Sequence, residues 1–216
     1  MKFVDECTVS LIAGSGGNGC VAFRRERFVP HGGPSGGDGG RGADIVFETD
    51  PGMSTLLDFT HIKILRAKHG EHGMGSDCYG RGAEDLVLRV PTGTQVFDDE
   101  TNELLFDLSE ANVKTIVAKG GRGGRGNMHF ASSFDRAPRR AEPGEPGQER
   151  NFRLELKVMA DVGLLGFPNV GKSTFISAVS AARPKIAAYP FTTLQPHLGV
   201  VSLTDDVVFV LADIPG

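Results

Sequence analysis

The chain has 216 residues, 39% of them hydrophobic, and a formal net charge of −4 at pH 7. This length fits one large domain or two small ones, and the charge excludes a uniformly basic nucleic-acid binder while allowing local basic patches. The three cysteines lack C-x-x-C spacing and indicate neither a disulfide framework nor a cysteine zinc site. The acidic N-terminal segment is a poor signal peptide, and no apolar run approaches the roughly 20 residues that span a bilayer. We therefore expect a cytoplasmic protein with reduced thiols.

Glycine is unevenly distributed, with 25 of the 30 glycines before residue 150. Within clusters they often recur at every third position, as in Gly33, Gly36, Gly39 and Gly42. A polyproline-II chain has three residues per turn, so this spacing leaves one edge without side chains. The pattern predicts extended polyproline-II segments that pack backbone to backbone. The alternative is a flexible glycine-rich linker, but linkers do not usually hold a period of three.

Short runs rich in Val, Ile, Leu or Phe separate the glycine clusters and predict β-strands. They cover residues 8–12, 43–49, 85–91, 103–108, 113–119 and 151–158. The last run alternates apolar and polar residues, as a half-buried strand does, and residues 98–102 read as a turn between two strands. Since no long helical period occurs before residue 170, we expect a β-rich first domain that ends near residues 158–161.

A different pattern follows, in which a buried-strand run at 162–165 enters Gly166–Ser173. This octapeptide matches G-x-x-x-x-G-K-[ST], the P-loop, and residues 174–182 then read as a helix. Inward-pointing N–H groups and the helix N-terminus attract phosphate oxygens. Lys172 would bridge the β- and γ-phosphates, and the Ser173 hydroxyl would ligate magnesium. The alternative is a strand–helix turn that holds no nucleotide, and the flanking strand and helix disfavour it.

Two further motifs follow in the order that a GTPase requires. The loop 189–194, YPFTTL, lies where a first switch places a threonine that senses the γ-phosphate through magnesium. The apolar run 206–212 ends in a D-x-x-G motif, residues 213–216, whose aspartate would hold magnesium through water. Each motif alone is weak. Together with the P-loop they favour a GTPase over a P-loop ATPase with a β-rich accessory domain.

These motifs and the glycine-rich blocks GGNGCVAFRRERFVPHGGPSGGDGGRGAD and GGRGGRGN resemble the Obg family of GTPases over essentially the whole chain. The resemblance implies a β-rich Obg domain, residues 1–158, with glycine-rich polyproline-II-like helices on a β-barrel base. The start of an α/β P-loop GTPase domain, residues 159–216, would follow. The resemblance also implies a monomer that binds GTP, GDP and ppGpp. It would act on the large ribosomal subunit and its rRNA during assembly and in growth and stress control.

Carried over by position, the resemblance places the GTP contacts in the phosphate loop and in two switches. They are Gly166, Phe167, Pro168, Asn169, Val170, Gly171, Lys172, Ser173, Thr174, Phe191, Thr192, Thr193, Leu194, Gln195, Asp213, Ile214, Pro215 and Gly216. The Mg²⁺ ligands fall on Ser173 and Thr193. The Asn169 amide oxygen would help to hold a K⁺ ion, with loop-stabilising hydrogen bonds as the alternative. No catalytic base is assigned, because the water-orienting position follows Gly216.

The second domain supplies 56 residues, 161–216, whereas compact domains more often have about 100–150. The N-K-x-D and S-A-x motifs of the family, which read guanine, would lie beyond Gly216. We therefore expect this chain to bind GTP weakly or not at all, with hydrolysis a property of a longer parent. The alternative for this chain is a non-enzymatic ribosome- or RNA-binding module.

Arginines gather near the glycine blocks, and their guanidinium groups suit phosphate. They are Arg24, Arg25, Arg27, Arg122, Arg125, Arg136, Arg139 and Arg140. One interpretation is rRNA contact by projecting loops. The other is solvated charge balanced by Glu26, Asp38 and Glu142. His69 and His72 lie close in sequence, but no third ligand is evident and we do not expect a metal site there.

Overall fold

The structure is a computed structural model that describes residues 4–24, 32–157, 162–167, 171–180, 185–186, 197–202 and 208–213. Residues 4–157 consist of short strands and long extended segments with two helical turns, which confirms the predicted β-rich architecture. None of the helices in the described ranges has the length and apolar character needed to cross a bilayer.

Two sheets form the base of this region, here called the β base. The five-stranded sheet has the order β3-β1-β8-β5-β6. Its strands are β1 (Glu6–Ile12), β3 (Ile64–Arg66), β5 (Thr94–Asp98), β6 (Leu104–Leu108) and β8 (Glu149–Leu156). The three-stranded sheet has the order β4-β2-β7. Its strands are β2 (Ile45–Asp50), β4 (Leu86–Pro91) and β7 (Lys114–Ala118). The helical turns are α1 (Leu57–Thr60) and a 3₁₀ turn (Asn127–Phe130).

The predicted strands are present with shifted ends, and β5 and β6 pair as antiparallel neighbours on either side of the predicted turn at 98–102. Strand β3 was not predicted, because three residues are too few for a periodic signal. The described strands do not close into the single barrel that the resemblance implied, since the base is divided between the two sheets.

The core lies between the two sheets and follows from the alternation of side chains along each strand. In β8, Phe152 and Leu154 are buried, while Arg153 and Glu155, which alternate with them in sequence, lie on the other face. Phe47 of β2 is fully buried and meets Phe59 of α1 edge to face, with ring centroids 6.2 Å apart. This apolar interior anchors the strands from which the glycine-rich segments extend.

Six extended segments, here called the glycine bundle, continue directly from strands of the β base. They are residues 13–24, 33–43, 67–74, 78–83, 119–127 and 142–148. The first, third and fifth follow β1, β3 and β7, and the second, fourth and sixth lead into β2, β4 and β8. Chain direction therefore alternates between outgoing and returning segments.

Hydrogen bonds with a period of three residues join these segments. Between 13–24 and 33–43, three successive N–H donors bond to carbonyl oxygens at 2.9–3.0 Å. They run from Gly14 to Ala43, from Gly17 to Gly40 and from Cys20 to Gly37. Segment 119–127 bonds to both neighbours, because Gly39 donates to Gly124 at 2.9 Å and Gly121 donates to Gly14 at 2.8 Å. A period of three matches polyproline-II geometry and confirms the predicted backbone-to-backbone packing.

The close approach of these backbones explains why the positions are glycine. A Cβ atom on Gly123 would lie 1.8 Å from the carbonyl oxygen of Gly39, and one on Gly39 would lie 1.9 Å from that of Gly17. Both distances are far below any van der Waals contact. The obstructing backbone is itself hydrogen-bonded, since the Gly17 carbonyl accepts the Gly124 N–H and the Gly39 N–H bonds to the Gly124 carbonyl. Moving it away would break such bonds.

The Asn127 side chain, at the end of segment 119–127, links several parts of the chain. It is fully buried. Its Oδ1 accepts the Gly36 N–H at 2.8 Å, and its Nδ2 donates to the carbonyl oxygens of Ala22, at 3.0 Å, and Pro138, at 3.1 Å. One buried amide thus links four parts of the chain, and its polar atoms are satisfied, as burial requires.

His69 and His72 also serve the bundle. Their Nδ1 atoms accept the N–H groups of Ser15 and Asn18, at 2.9 and 2.8 Å. The two donors are three residues apart in sequence, and so are the two histidines. These contacts therefore have the same three-residue period as the backbone hydrogen bonds. The histidines therefore act as side-chain acceptors for segment 13–24.

The three cysteines are free thiols. Burial, with the nearby Glu6 carboxylate adding to it, raises the pKa of the Cys7 thiol to about 11. Cys7 therefore remains protonated and unreactive at physiological pH, because the thiolate is the reactive form.

The packing of the bundle predicts a sharp difference between two glycines of segment 33–43. Gly39→Ala forces a Cβ against the Gly17 carbonyl, and we expect it to lower the free energy of unfolding by about 3 kcal/mol or more. A Cβ added to Gly33 has no atom within 4 Å, so Gly33→Ala should change the free energy of unfolding by less than about 0.5 kcal/mol. Guanidinium unfolding followed by circular dichroism measures both, and equal effects would contradict the proposed role of backbone contact.

Candidate phosphate-binding site

A third sheet, in residues 162–213, carries the P-loop. Its strand order is β10-β11-β12-β9. The strands are β9 (Val162–Leu164), β10 (Lys185–Ile186), β11 (His197–Ser202) and β12 (Val208–Asp213), and the helix is α2 (Lys172–Val179). The predicted strands before the P-loop and before D-x-x-G are confirmed as β9 and β12, and the predicted helix begins two residues earlier than expected.

The register of β9 and β12 brings two of the sequence motifs together. These strands are parallel neighbours, with Asp213 opposite Leu164 and Ala212 opposite Gly163. Parallel strands end at the same edge of a sheet, where open α/β sheets bind their ligands. Strands β9 and β12, which precede the P-loop and D-x-x-G sequences, therefore end side by side, although 47 positions separate Gly166 from Asp213.

Helix α2 begins where the backbone turns at Gly171. This residue has φ +92° and ψ 15°, a left-handed conformation that glycine adopts without the strain that a side chain brings. The Gly171 carbonyl accepts the Phe175 N–H at 2.9 Å, which closes the first helical turn. The N–H groups of a first turn have no acceptor within their own helix and attract anions.

The Lys172 side chain reaches the residue at which the P-loop sequence begins. Its Nζ donates a hydrogen bond to the carbonyl oxygen of Gly166, the first residue of the loop. The ammonium group therefore lies at the start of the loop, close to the edge at which β9 ends. A phosphate bound at this edge would offer the ammonium group a charged acceptor in place of a neutral carbonyl, and such bonds are stronger.

Packing of α2 on the sheet holds the helix N-terminus in place. Ile176 is fully buried, and α2 contacts β11 and β12. At Gly199 of β11, a Cβ atom would lie 2.4 Å from the Ile176 Cγ2 atom. The absence of a side chain at Gly199 thus sets how closely α2 approaches the sheet.

The structure describes part of the predicted site. The described residues are Gly166, Phe167, Gly171, Lys172, Ser173 and Thr174, with the backbone of Asp213. The remaining predicted contacts lie outside the described residues, and they are Pro168, Asn169, Val170, Phe191, Thr192, Thr193, Leu194, Gln195, Ile214, Pro215 and Gly216. Sequence reasoning missed the role of Gly199, which no phosphate motif marks.

The arginines near the glycine blocks differ in their surroundings. Arg125 pairs with Glu142 at 3.1 Å, as the charge-balance interpretation expects, while the Arg140 guanidinium lies 4.9 Å from the centroid of the Phe130 ring. Asp38 does not balance an arginine in the described structure, because its Oδ2 lies 2.9 Å from the His129 Nε2. Among described residues, Arg122, Arg136 and Arg139 have no ion-pair partner. Arg25, Glu26 and Arg27 lie outside the described residues.

Comparison with known families identifies the chain. The model of the GTP1/OBG family matches residues 4–158, which is most of the chain. The chain belongs to the GTP1/OBG family. A second family model, described as a 50S ribosome-binding GTPase, matches residues 161–216.

Curated relatives agree with the family. The GTPase Obg of Sorangium cellulosum is 64% identical over 221 residues, which cover 100% of this chain and 64% of that protein. The GTPase Obg of Myxococcus xanthus is 62% identical, over 100% of this chain and 44% of that protein. The GTPase Obg of Listeria welshimeri is 60% identical, over 99% of this chain and 50% of that protein. The chain thus spans between 44% and 64% of the length of these relatives.

The contact between Gly199 and Ile176 predicts a coupled pair of substitutions. Gly199→Ala should destabilise the docking of α2 by about 1–3 kcal/mol, because the β-branched Ile176 has little freedom to move. Ile176→Ala removes the obstructing atom, so Gly199→Ala should cost less in that background. Hydrogen exchange of the α2 amides measures the loss of stability in each variant. If the losses caused by the two substitutions simply add in the double variant, the contact between Gly199 and Ile176 is contradicted.

Proposed function

We propose that the whole protein binds GTP and hydrolyses it to GDP and phosphate. The observation that supports this most strongly is the parallel register of β9 and β12, in which Leu164 lies opposite Asp213. The strand that precedes the P-loop sequence is thus a parallel neighbour of the strand that ends at the first residue of the D-x-x-G sequence. Membership of the GTP1/OBG family and the names of the curated relatives agree with the proposal.

The described residues suit stabilisation of phosphate charge, which is the main task in phosphoryl transfer. The first turn of α2 offers backbone N–H groups, and Lys172 supplies an ammonium group that bonds to the Gly166 carbonyl oxygen. During hydrolysis these groups would stabilise the negative charge that develops on the phosphate oxygens. Gly171 allows the turn that aims the start of α2 toward the bound phosphates.

We also propose that Mg²⁺ takes part, with Ser173 and Thr193 as its protein ligands. Ser173 lies in the first turn of α2, and hydroxyl oxygens are the hard donors that Mg²⁺ accepts together with substrate phosphates. When bound, Mg²⁺ would neutralise charge on the β- and γ-phosphates. A K⁺ ion held by Asn169 remains a second hypothesis, which a comparison of hydrolysis rates in potassium and sodium would test.

We further infer a division into an Obg domain, residues 1–158, and a GTPase domain, residues 159–216 in this chain. The sheets support this, since the strands of residues 4–157 pair with one another and those of 162–213 form a separate sheet. The two family matches, which meet between residues 158 and 161, also support it.

The partner that we propose for the Obg domain is the large ribosomal subunit, through its rRNA. Arg122 lies in segment 119–127, and Arg136 and Arg139 lie close in sequence to Phe134, whose side chain is fully exposed. None of these three arginines forms an ion pair within the part of the chain that the structure describes. Arginine and an exposed aromatic ring together suit phosphate and base stacking. The alternative for this chain is an RNA-binding module that does not hydrolyse GTP. In the whole protein, GTP or ppGpp would regulate the interaction.

The phosphate site predicts a clear effect of two side chains in the whole protein. Lys172→Ala should weaken GTP binding about 10- to 100-fold, because it removes a charged hydrogen bond to phosphate. Ser173→Ala should lower the dependence of GTP affinity on Mg²⁺. Ser177→Ala is the matched control, since this hydroxyl bonds to the Ser173 carbonyl along the helix. Calorimetric titration with GTP, with and without Mg²⁺, measures the affinity of all three variants. Equal GTP affinities for the three variants and the unaltered protein would refute the proposed site.

The rRNA proposal predicts an effect of charge in segment 119–127. Arg122→Glu combined with Arg125→Glu should weaken co-sedimentation of the whole protein with large ribosomal subunits, more strongly at low salt. Lys63→Glu combined with Arg66→Glu, at the β base, is the control and should leave it unchanged. Unchanged binding in the Arg122 and Arg125 variant would count against contact through this segment.

A further inference from the structure

A groove of about 410 Å³ lies in the β base, between the end strands of its two sheets. Leu65 of β3 lines one side, and Val87 of β4 lines the other, with Met53 and Ile62 completing an apolar surface. Asp50 and Asp58 bring two carboxylates to it. This volume is in the range of about 300–1,000 Å³ that binding pockets typically have.

Both strands beside the groove are sheet edges. Among the described strands, β3 pairs with β1 and β4 pairs with β2, and each has no strand on its other side. An edge strand presents a row of N–H and C=O groups to which an extended peptide can add. Strand β4 offers the longer row, since it has six residues and β3 has three.

The groove also exposes apolar side chains at a place that proteins usually protect. Ile62 is 43% exposed and Val87 is 42% exposed. Edge strands of monomers are commonly covered or made charged to avoid unwanted pairing. Here the apolar side chains lie in a concavity, which suits burial of a side chain from a partner.

The carboxylates give the groove a charge preference. The Asp58 side chain, in α1, has no hydrogen-bond or ion-pair partner among the described residues. Asp50 accepts the Gly52 N–H at 2.8 Å, and its other oxygen lies 3.9 Å from Arg89. Two carboxylates and one weakly paired guanidinium leave a net negative lining, which favours a cationic partner.

We propose that this groove docks an extended segment of another polypeptide, which adds as a strand to the free edge of β4. An apolar side chain of the segment would pack against Ile62 and Val87. A lysine or arginine of the same segment would face Asp58. This surface lies in the β base and does not depend on the nucleotide site, so failure of one proposal leaves the other standing.

A labelled peptide tests the proposal on the full chain. The probe is a fluorescein-labelled octapeptide of alternating valine and lysine, followed by fluorescence anisotropy and by hydrogen exchange. We expect saturable binding that protects amides of β4. The same peptide with glutamate in place of lysine should bind about tenfold more weakly, and a peptide with N-methylated backbone amides should not bind.

Matched variants locate the contact. Val87→Ser should weaken binding about fivefold, and Asp58→Asn about threefold. The controls are Ile116→Ser, a 48% exposed side chain on β7 at the opposite end of the same sheet, and Asp99→Asn in the turn after β5. Both should leave affinity unchanged. Absence of binding, equal binding of the glutamate or N-methylated peptides, or protection outside β4 would each overturn the proposal.

Discussion

Direct contact between backbones, with no Cβ atom between them, is the constraint on which the glycine bundle depends. Carbonyl oxygens lie where a side chain would begin, for example at 1.9 Å from an added Cβ on Gly39. This closeness allows N–H groups at every third position to bond to a neighbouring segment at 2.8–3.0 Å. Extended chain without internal hydrogen bonds therefore satisfies its backbone through its neighbours, and long segments remain ordered without helix or sheet.

The glycine bundle is connected to the β base through the strands at the ends of its segments. Each segment of the bundle adjoins a strand of the β base, and most of these strands bury apolar side chains in the core. The hydrophobic base therefore fixes the ends of chains that have little apolar surface of their own. Asn127 joins four parts of the chain at a fully buried position. Exposed groups such as Phe134 and Arg122 are consequently presented from a hydrogen-bonded framework, which suits recognition by preorganised contacts.

The proposed phosphate site relies on backbone geometry in a different way. Parallel pairing of β9 and β12 aligns two motifs that are distant in sequence, and Gly171 adopts a left-handed conformation at the start of α2. Gly199 allows α2 to approach the sheet closely. Each of these features helps to position N–H groups or Lys172 at one sheet edge, where they can stabilise the negative charge of a phosphate. The side chains therefore depend on where the backbone places them.

The amino-acid sequence by itself determined the local features, because these follow from patterns of a few residues. The three-residue glycine period predicted extended packing, the alternation from Phe152 to Leu156 predicted β8, and the P-loop motif predicted the strand–loop–helix around Lys172. The tertiary structure decided which elements become neighbours, including the division of the base into two sheets with a groove between β3 and β4. It also paired Asp38 with His129 and set Gly199 against Ile176. Such contacts join residues far apart in the chain, and no local pattern encodes their register, since it depends on how whole sheets and helices pack.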